Sequence, residues 1–152
     1  MVLVAEELAS TADARWCLDQ YAANLQRLFP EGFDQSRGNR LEPADVLPPH
    51  GHFVIARLDG SPVGCGALKV LDDHSGEIKR VWTAEAVRGQ GVATKIMDAL
   101  EDIARTQGLG RLLLDTNRAL VAAQAMYRKR GYREIPSYND NPYAHHWYEK
   151  RV

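Results

Sequence analysis

The chain has 152 residues, of which 45 % are hydrophobic and 26 % charged, and its formal net charge is −1. That is the make-up of an ordinary globular domain with room for one sizeable core, and one domain over 1–152 is expected. The near-neutral balance gives no electrostatic basis for binding nucleic acid or an acidic membrane surface, and no apolar run approaches the ~20 residues of a membrane span. The opening "MVLVAEELAS" lacks the basic and long apolar regions of a leader, so a cytoplasmic protein is expected.

Along the chain, "STAD" at 10–13 reads as a capping box with Ser10 as the cap and Asp13 three residues on. Leu18, Tyr21, Ala22, Leu25, Leu28 and Phe29 then recur at three- and four-residue steps, which predicts a helix ending near Pro30. Residues 31–50 are polar, contain three prolines and have no period; they predict a long loop with room for a short helix. "HFVIARL" (52–58) and "SPVGCGALKV" (61–70) flank Asp59–Gly60 and predict a hairpin. "EIKRVWT" (77–83) predicts a third strand, whose alternation puts Glu77 on one face with Lys79 and Val81. Val92, Ile96, Leu100 and Ile103 line one face of a helix that stops near Gly108, and "RLLLDT" (111–116) is a short apolar run typical of a buried strand. A second short helix over 120–131 and strand candidates in "YREIPSY" and "AHHWYEKR" close the chain.

The order is helix, three strands, helix, strand, helix, strands. The helical crossover between strands 77–83 and 111–116 makes them parallel neighbours, while the hairpin is antiparallel. The fold class is therefore α/β (α+β), a mixed sheet with flanking helices. Cys17 and Cys65 show no CxxC spacing and are expected to be buried free thiols, and no metal set is indicated.

The stretch "EAVRGQGVATKI" is the informative one. A helix N-terminus carries unpaired N–H groups and a partial positive charge, which makes it an anion site in waiting. Glycines there let a ligand reach the backbone, and Arg88, unfavourable to the dipole itself, fits a polyanion held between it and the amides. The string GxxxxGK[ST] of a P-loop is absent. The dinucleotide pattern GxGxxG finds Gly89 and Gly91 but meets Thr94 at the third position.

Arg88, Gly91 and Ala93 do spell R-x-x-G-x-A. This resembles the acyl-CoA loop, [QR]-x-x-G-x-[GA], of the GNAT N-acetyltransferase superfamily. "GEIKRVW" is similar to that family's fourth strand and "AMYRKRGYREI" to its "LYEKxGF" segment, so the resemblance covers roughly residues 50–135. It implies a mostly antiparallel sheet with one splayed parallel pair, and acetyl-CoA as co-substrate. The amides of Arg88, Gly89, Gln90, Gly91, Val92, Ala93 and Thr94 would hold the diphosphate. The backbone of Val81, Trp82 and Thr83 would pair with the pantetheine arm. An acceptor amine with a pKa of ~10.4 is almost wholly protonated at pH 7, so a base is needed. The resemblance implies Glu77 as that base and Tyr127 as the acid that protonates the departing thiolate. The family's pantetheine-contacting Asn is replaced here by Leu120, and Asn117 is the candidate substitute. The acceptor is expected to be a small-molecule amine, with a protein lysine or N-terminus, or a non-catalytic CoA-binding module, as alternatives. Residues 31–50 and "SYNDNPYAHHWYEK" (137–150) are expected to build its site. No nucleic-acid or membrane partner is expected, and a homodimer is left open.

Overall fold

A computed structural model describes residues 1–38 and 40–152, so residue 39 of the loop read over 31–50 lies outside the described residues. The elements run β1 (Val2–Glu6), α1 (Ala12–Leu28), β2 (Gly51–Leu58), β3 (Ser61–Val70), β4 (Ser75–Thr83), α2 (Val92–Thr106), β5 (Arg111–Thr116), α3 (Val121–Lys129), β6 (Arg133–Ile135) and β7 (His146–Arg151). Short 3₁₀ turns occupy Gln35–Arg37 and Pro43–Val46 of the long loop. The strands form one sheet in the order β1-β2-β3-β4-β5-β7-β6, antiparallel except for β4 and β5. The parallel pair arises as expected, because α2 carries the chain back across the sheet.

Two cores lie on opposite faces of this sheet. On one, Ile96, Met97 and Leu100 of α2 bury against Val54, Leu68, Ile78, Leu112 and Leu114. On the other, Ala14 and Cys17 of α1 pack on Phe53, Ile55, Cys65, Ala67 and Trp82. Cys17 and Cys65 are free and buried. Among the described residues, no helix is long and apolar enough to cross a membrane.

The structure corrects three local readings. The cap of α1 is Thr11, not Ser10: the Ala14 amide donates to Thr11 Oγ1 at 3.1 Å, and Asp13 instead accepts from Arg57 at 2.8 Å. Residues 2–6 form an edge strand, paired antiparallel with β2, that the sequence reading did not include. The third correction bears on the site. Cys65 pairs with Trp82 and Ala67 with Lys79, so Arg80 and Val81 together stand opposite Gly66, and Arg80 takes a φ of 59°. This β-bulge reverses the alternation of β4. Trp82 joins the α1-side core with Cys65 and Ala67, while Val81 packs against the α2-side core with Ile78. Glu77 and Lys79 therefore do not share a face with Val81.

A candidate acyl-transfer site in the splayed sheet

The ladder between β4 and β5 consists of Ser75–Arg111, Gly76–Leu112 and Glu77–Leu113 and goes no further. Beyond it the two strands diverge, and β5 continues to pair only with β7. The gap opens into a cavity of about 590 Å³, a size typical of small-molecule sites. Ile78 to Thr83 line one side, Asp115 to Asn117 the other, and the start of α2 closes one end. A segment of β4 unpaired on its β5 side leaves main-chain N–H and C=O groups for an extended ligand to pair with.

The α2 end is built for an anion. Gly91 caps the helix without a side chain, and the first helical bond runs from Lys95 N–H to the Gly91 carbonyl at 3.1 Å. The amides of Val92, Ala93 and Thr94 thus have no hydrogen-bond partner among the described residues. Gly89 and Gly91 hold φ values of 80° and 81°, and a Cβ at either would meet nothing within 4 Å: the left-handed backbone, not crowding, calls for glycine. Arg88 is exposed beside them and donates to Asn24 Oδ1 of α1 at 3.3 Å.

Not every residue put forward for the cradle reaches it. The amides of Arg88 and Gln90 are bonded at and just beyond a 3₁₀ turn over Glu85–Val87, to the Glu85 carbonyl at 3.2 Å and the Val87 carbonyl at 3.3 Å. The Gln90 side chain turns to the Ala86 carbonyl and lies outside the cavity wall. Val81, Trp82, Thr83, Arg88, Gly89, Gly91, Val92, Ala93 and Thr94 all line the wall. Asn117 lines it too, but its amide is engaged at both ends: Nδ2 donates to the Tyr143 carbonyl at 2.7 Å and Oδ1 accepts from the Ala119 amide at 2.8 Å. Its side chain holds the turn after β5.

Tyr127, on α3, is 7 % exposed and faces the cavity from the α2 side, its ring against Tyr132 and Tyr148. Its hydroxyl has no hydrogen-bond partner among the described residues. Burial pushes that hydroxyl well above the usual tyrosine range, and Tyr21 and Asp115 add to the effect. It is therefore a phenol, not a phenolate, across the working pH range.

Glu77, the base that the resemblance implies, stands on β4 at the last rung of its ladder with β5. It is buried and outside the cavity wall, accepting from Lys79 Nζ at 3.2 Å and from the Tyr138 hydroxyl at 2.6 Å. The carboxylate that does line the cavity is Asp115, at the end of β5. Asn139 Nδ2 donates to its Oδ2 at 2.7 Å and Asn141 Nδ2 to its Oδ1 at 3.3 Å. The Asn139 amide is itself oriented, because its Oδ1 accepts the Trp147 indole N–H at 2.9 Å. Burial pushes the Asp115 carboxyl above the ordinary aspartate range, and Glu77 adds to this, while Asn139, Lys79 and Asn141 pull the other way. Sequence reasoning passed over Asp115; the signal was a lone acid closing an apolar strand.

The family model described as Acetyltransferase (GNAT) family matches residues 18–132. An "IAA acetyltransferase" of Azospirillum brasilense is 31 % identical over 114 residues, 74 % of each chain. An "Aminoglycoside N(6')-acetyltransferase type 1" of Serratia marcescens is 27 % identical over 127 residues, covering 77 % of this chain and 86 % of that one. A GNAT family acetyltransferase from Elizabethkingia anophelis, solved with acetyl-CoA bound, superposes with a TM-score of 0.66 at 16 % identity over 99 % of this chain and 98 % of that one, a likeness of fold. The family match begins within α1 and ends at the tyrosine after α3, so it takes in both the splayed strands and the glycine-bearing mouth of α2, and the chain belongs to the GNAT acetyltransferase family.

Proposed function

We propose that the protein is an N-acetyltransferase that moves the acetyl group of acetyl-CoA directly to the primary amine of a small molecule. The observation that carries this reading is the cavity between the diverging strands, with unpaired helix amides at one end and a buried tyrosine and a carboxylate in its wall. A diphosphate at the α2 mouth would meet the amides of Val92, Ala93 and Thr94, with Gly89 and Gly91 allowing close approach and Arg88 above it. The extended pantetheine arm would pair with the backbone of Val81, Trp82 and Thr83. This would bring the thioester into the gap near Tyr127.

The amine nitrogen then attacks the thioester carbonyl carbon, the C–N bond forms and the C–S bond breaks. The thiolate takes its proton from the Tyr127 hydroxyl, which its buried setting keeps protonated until that moment. The proton shed by the amine needs an acceptor. Glu77, the base that the resemblance implies, is held by Lys79 and Tyr138, and in this reading it fixes Lys79 in the wall. That the relatives are named for acetyltransferase activity supports the reaction class, and the acetyl-CoA bound to a chain of the same fold supports the co-substrate.

Titration calorimetry with acetyl-CoA tests the reading. The wild-type chain is expected to bind, and Gly91→Val to bind about 100-fold or more weakly, because a β-branched residue resists the left-handed backbone and covers the amides. Equal affinity for both proteins would refute the cradle.

A further inference from the structure

We infer that the acceptor is a primary monoamine carried on an aromatic or apolar body, its amino group received by Asp115 and its body by a collar made of Phe29, Phe33 and Tyr143. The inference rests on the acetyl-transfer reading for its reaction but on separate observations for its substrate class. The first is the charge of the wall. Among the described residues, the charged side chains lining the cavity are Lys79, Arg80, Arg88 and Asp115. Lys79 is already paired with Glu77 and Arg88 is assigned to the diphosphate, so Asp115 is the acid in this wall that can match an incoming ammonium, and it matches one. An aminoglycoside or a polyamine would bring further positive charges to a wall that has no further acid to meet them.

The second observation is how firmly that acid is aimed. Asp115 sits on the α1 side of the sheet, alternating with Leu112 and Leu114, which bury on the α2 side. The Asn139 and Asn141 amides hold one oxygen each. Trp147 fixes Asn139, and Asn141 Oδ1 accepts the Tyr143 amide at 3.1 Å, so the segment that orients the carboxylate also supplies a collar ring. A carboxylate oriented by one amide donor on each oxygen keeps further lone pairs, and in a cavity wall it is poised to take a proton from an amine there.

The third is the collar. Phe33 and Tyr143 have ring centroids 5.0 Å apart, Phe29 and Tyr143 5.7 Å, and Phe29 and Phe33 5.8 Å. The Asp34 amide donates to the Tyr143 hydroxyl at 2.8 Å, which ties the loop after α1 to the loop before β7. With Leu25 and Leu28 the three rings make an apolar wall at the α1 end of the cavity. Rings and aliphatic chains gain from burial there, while a hydroxyl-rich sugar would lose hydrogen bonds to water without replacement.

The test uses the full chain, phenethylamine as probe, and kanamycin and spermidine as polycationic competitors. Calorimetry measures phenethylamine binding to the CoA complex, and thiol release measures turnover with acetyl-CoA. The expected result is that phenethylamine binds and is acetylated with a kcat/KM at least tenfold above either polycation. Asp115→Asn is expected to lower its kcat/KM by about 10²–10³ while leaving acetyl-CoA affinity within twofold. Phe33→Ala, which keeps Asp115 intact, is expected to raise KM for phenethylamine about tenfold with little change in kcat. Preference for kanamycin or spermidine overturns the inference, as does an Asp115→Asn enzyme as active as wild type. Phenethylamine bound in an Asp115-dependent way but never acetylated would uphold the acceptor site and refute acetyl transfer. Acetylation of the polycations alone would do the reverse.

Discussion

Tyr127 and Asp115 approach the gap between β4 and β5 from opposite faces of the sheet, and burial acts on both in the same direction. It favours the neutral phenol, which is the form an acid must have, and it makes the carboxylate a stronger base than an exposed aspartate. The sign of the pH dependence follows. Asp115 must be ionised to accept a proton, and its raised pKa moves the acid limb of kcat above the ordinary aspartate value of 3.8, with activity lost as pH falls through it. Tyr127 stays protonated beyond the ordinary tyrosine value of 10.0, so it contributes no alkaline fall below that pH. A pH profile of kcat with saturating amine checks both limbs, and an alkaline decline between pH 8 and 10 that vanishes in Tyr127→Phe would contradict the acid assignment. Tyr127→Phe keeps the ring that packs on Tyr132 and Tyr148 and removes only the hydroxyl. It is expected to lower kcat by about 10²-fold with acetyl-CoA affinity unchanged, and equal losses in both would show a packing role instead.

At the scale of elements, the question is what keeps the mouth of α2 aimed at the gap. Glu101, on the buried side of α2, collects Arg130 at 3.0 Å, Lys150 at 2.9 Å and the Tyr132 hydroxyl at 2.9 Å, so α2, the end of α3 and β7 meet on one carboxylate. Burial alone would push Glu101 up, but Arg130, Lys150 and Tyr132 outweigh it and hold the carboxyl below the ordinary 4.5. A depressed folded pKa contributes stability that is present above the unfolded value and lost as pH falls through the folded one. Glu101→Gln leaves Arg130, Lys150 and Arg105 facing a neutral amide and is expected to destabilise the fold by roughly 3–5 kcal/mol at pH 7, the range for one-sided loss of a buried pair. Urea unfolding at pH 7 and pH 4 checks this: the gap between variant and wild type should narrow on the acid side, and a constant gap would mean the loss is packing. Helix α2 was legible in the sequence because its apolar face repeats and a glycine follows its end. The bulge in β4 was not, because nothing local marks Arg80; it is imposed by pairing with β3, and it alone decides that Val81 leaves the face of Glu77 and Lys79. The edge strand β1 escaped for a related reason, since five residues, none of them buried, gain their structure from β2 rather than from their own pattern.

At the scale of the molecule, the sheet is seven strands wide but interrupted, and the candidate site lies at the interruption. The motif at 88–93 and the parallel pair were visible in the sequence because each is set by local spacing. The placing of Asp115 inside the cavity and of Glu77 outside it depends on where the strands part, a property of the whole sheet that no short pattern encodes. A sheet open along β4 has backbone groups whose partner is water until a ligand arrives, so ligand binding should act on the fold as an added strand and a helix cap at once. A ligand that binds only the folded state stabilises it by RT ln(1 + [L]/Kd), about 2.7 kcal/mol at a hundredfold excess over Kd. For a domain of this length that corresponds to a rise in Tm of roughly 5–10 °C. Acetyl-CoA at that concentration is expected to produce such a rise, with slowed amide exchange concentrated at residues 81–83 and 89–94. Adenosine, which lacks diphosphate and pantetheine, should produce neither. A rise in Tm with protection spread evenly over the sheet would mean that the ligand stabilises the fold without bridging the divide between β4 and β5, and the strand-addition geometry would have to be given up.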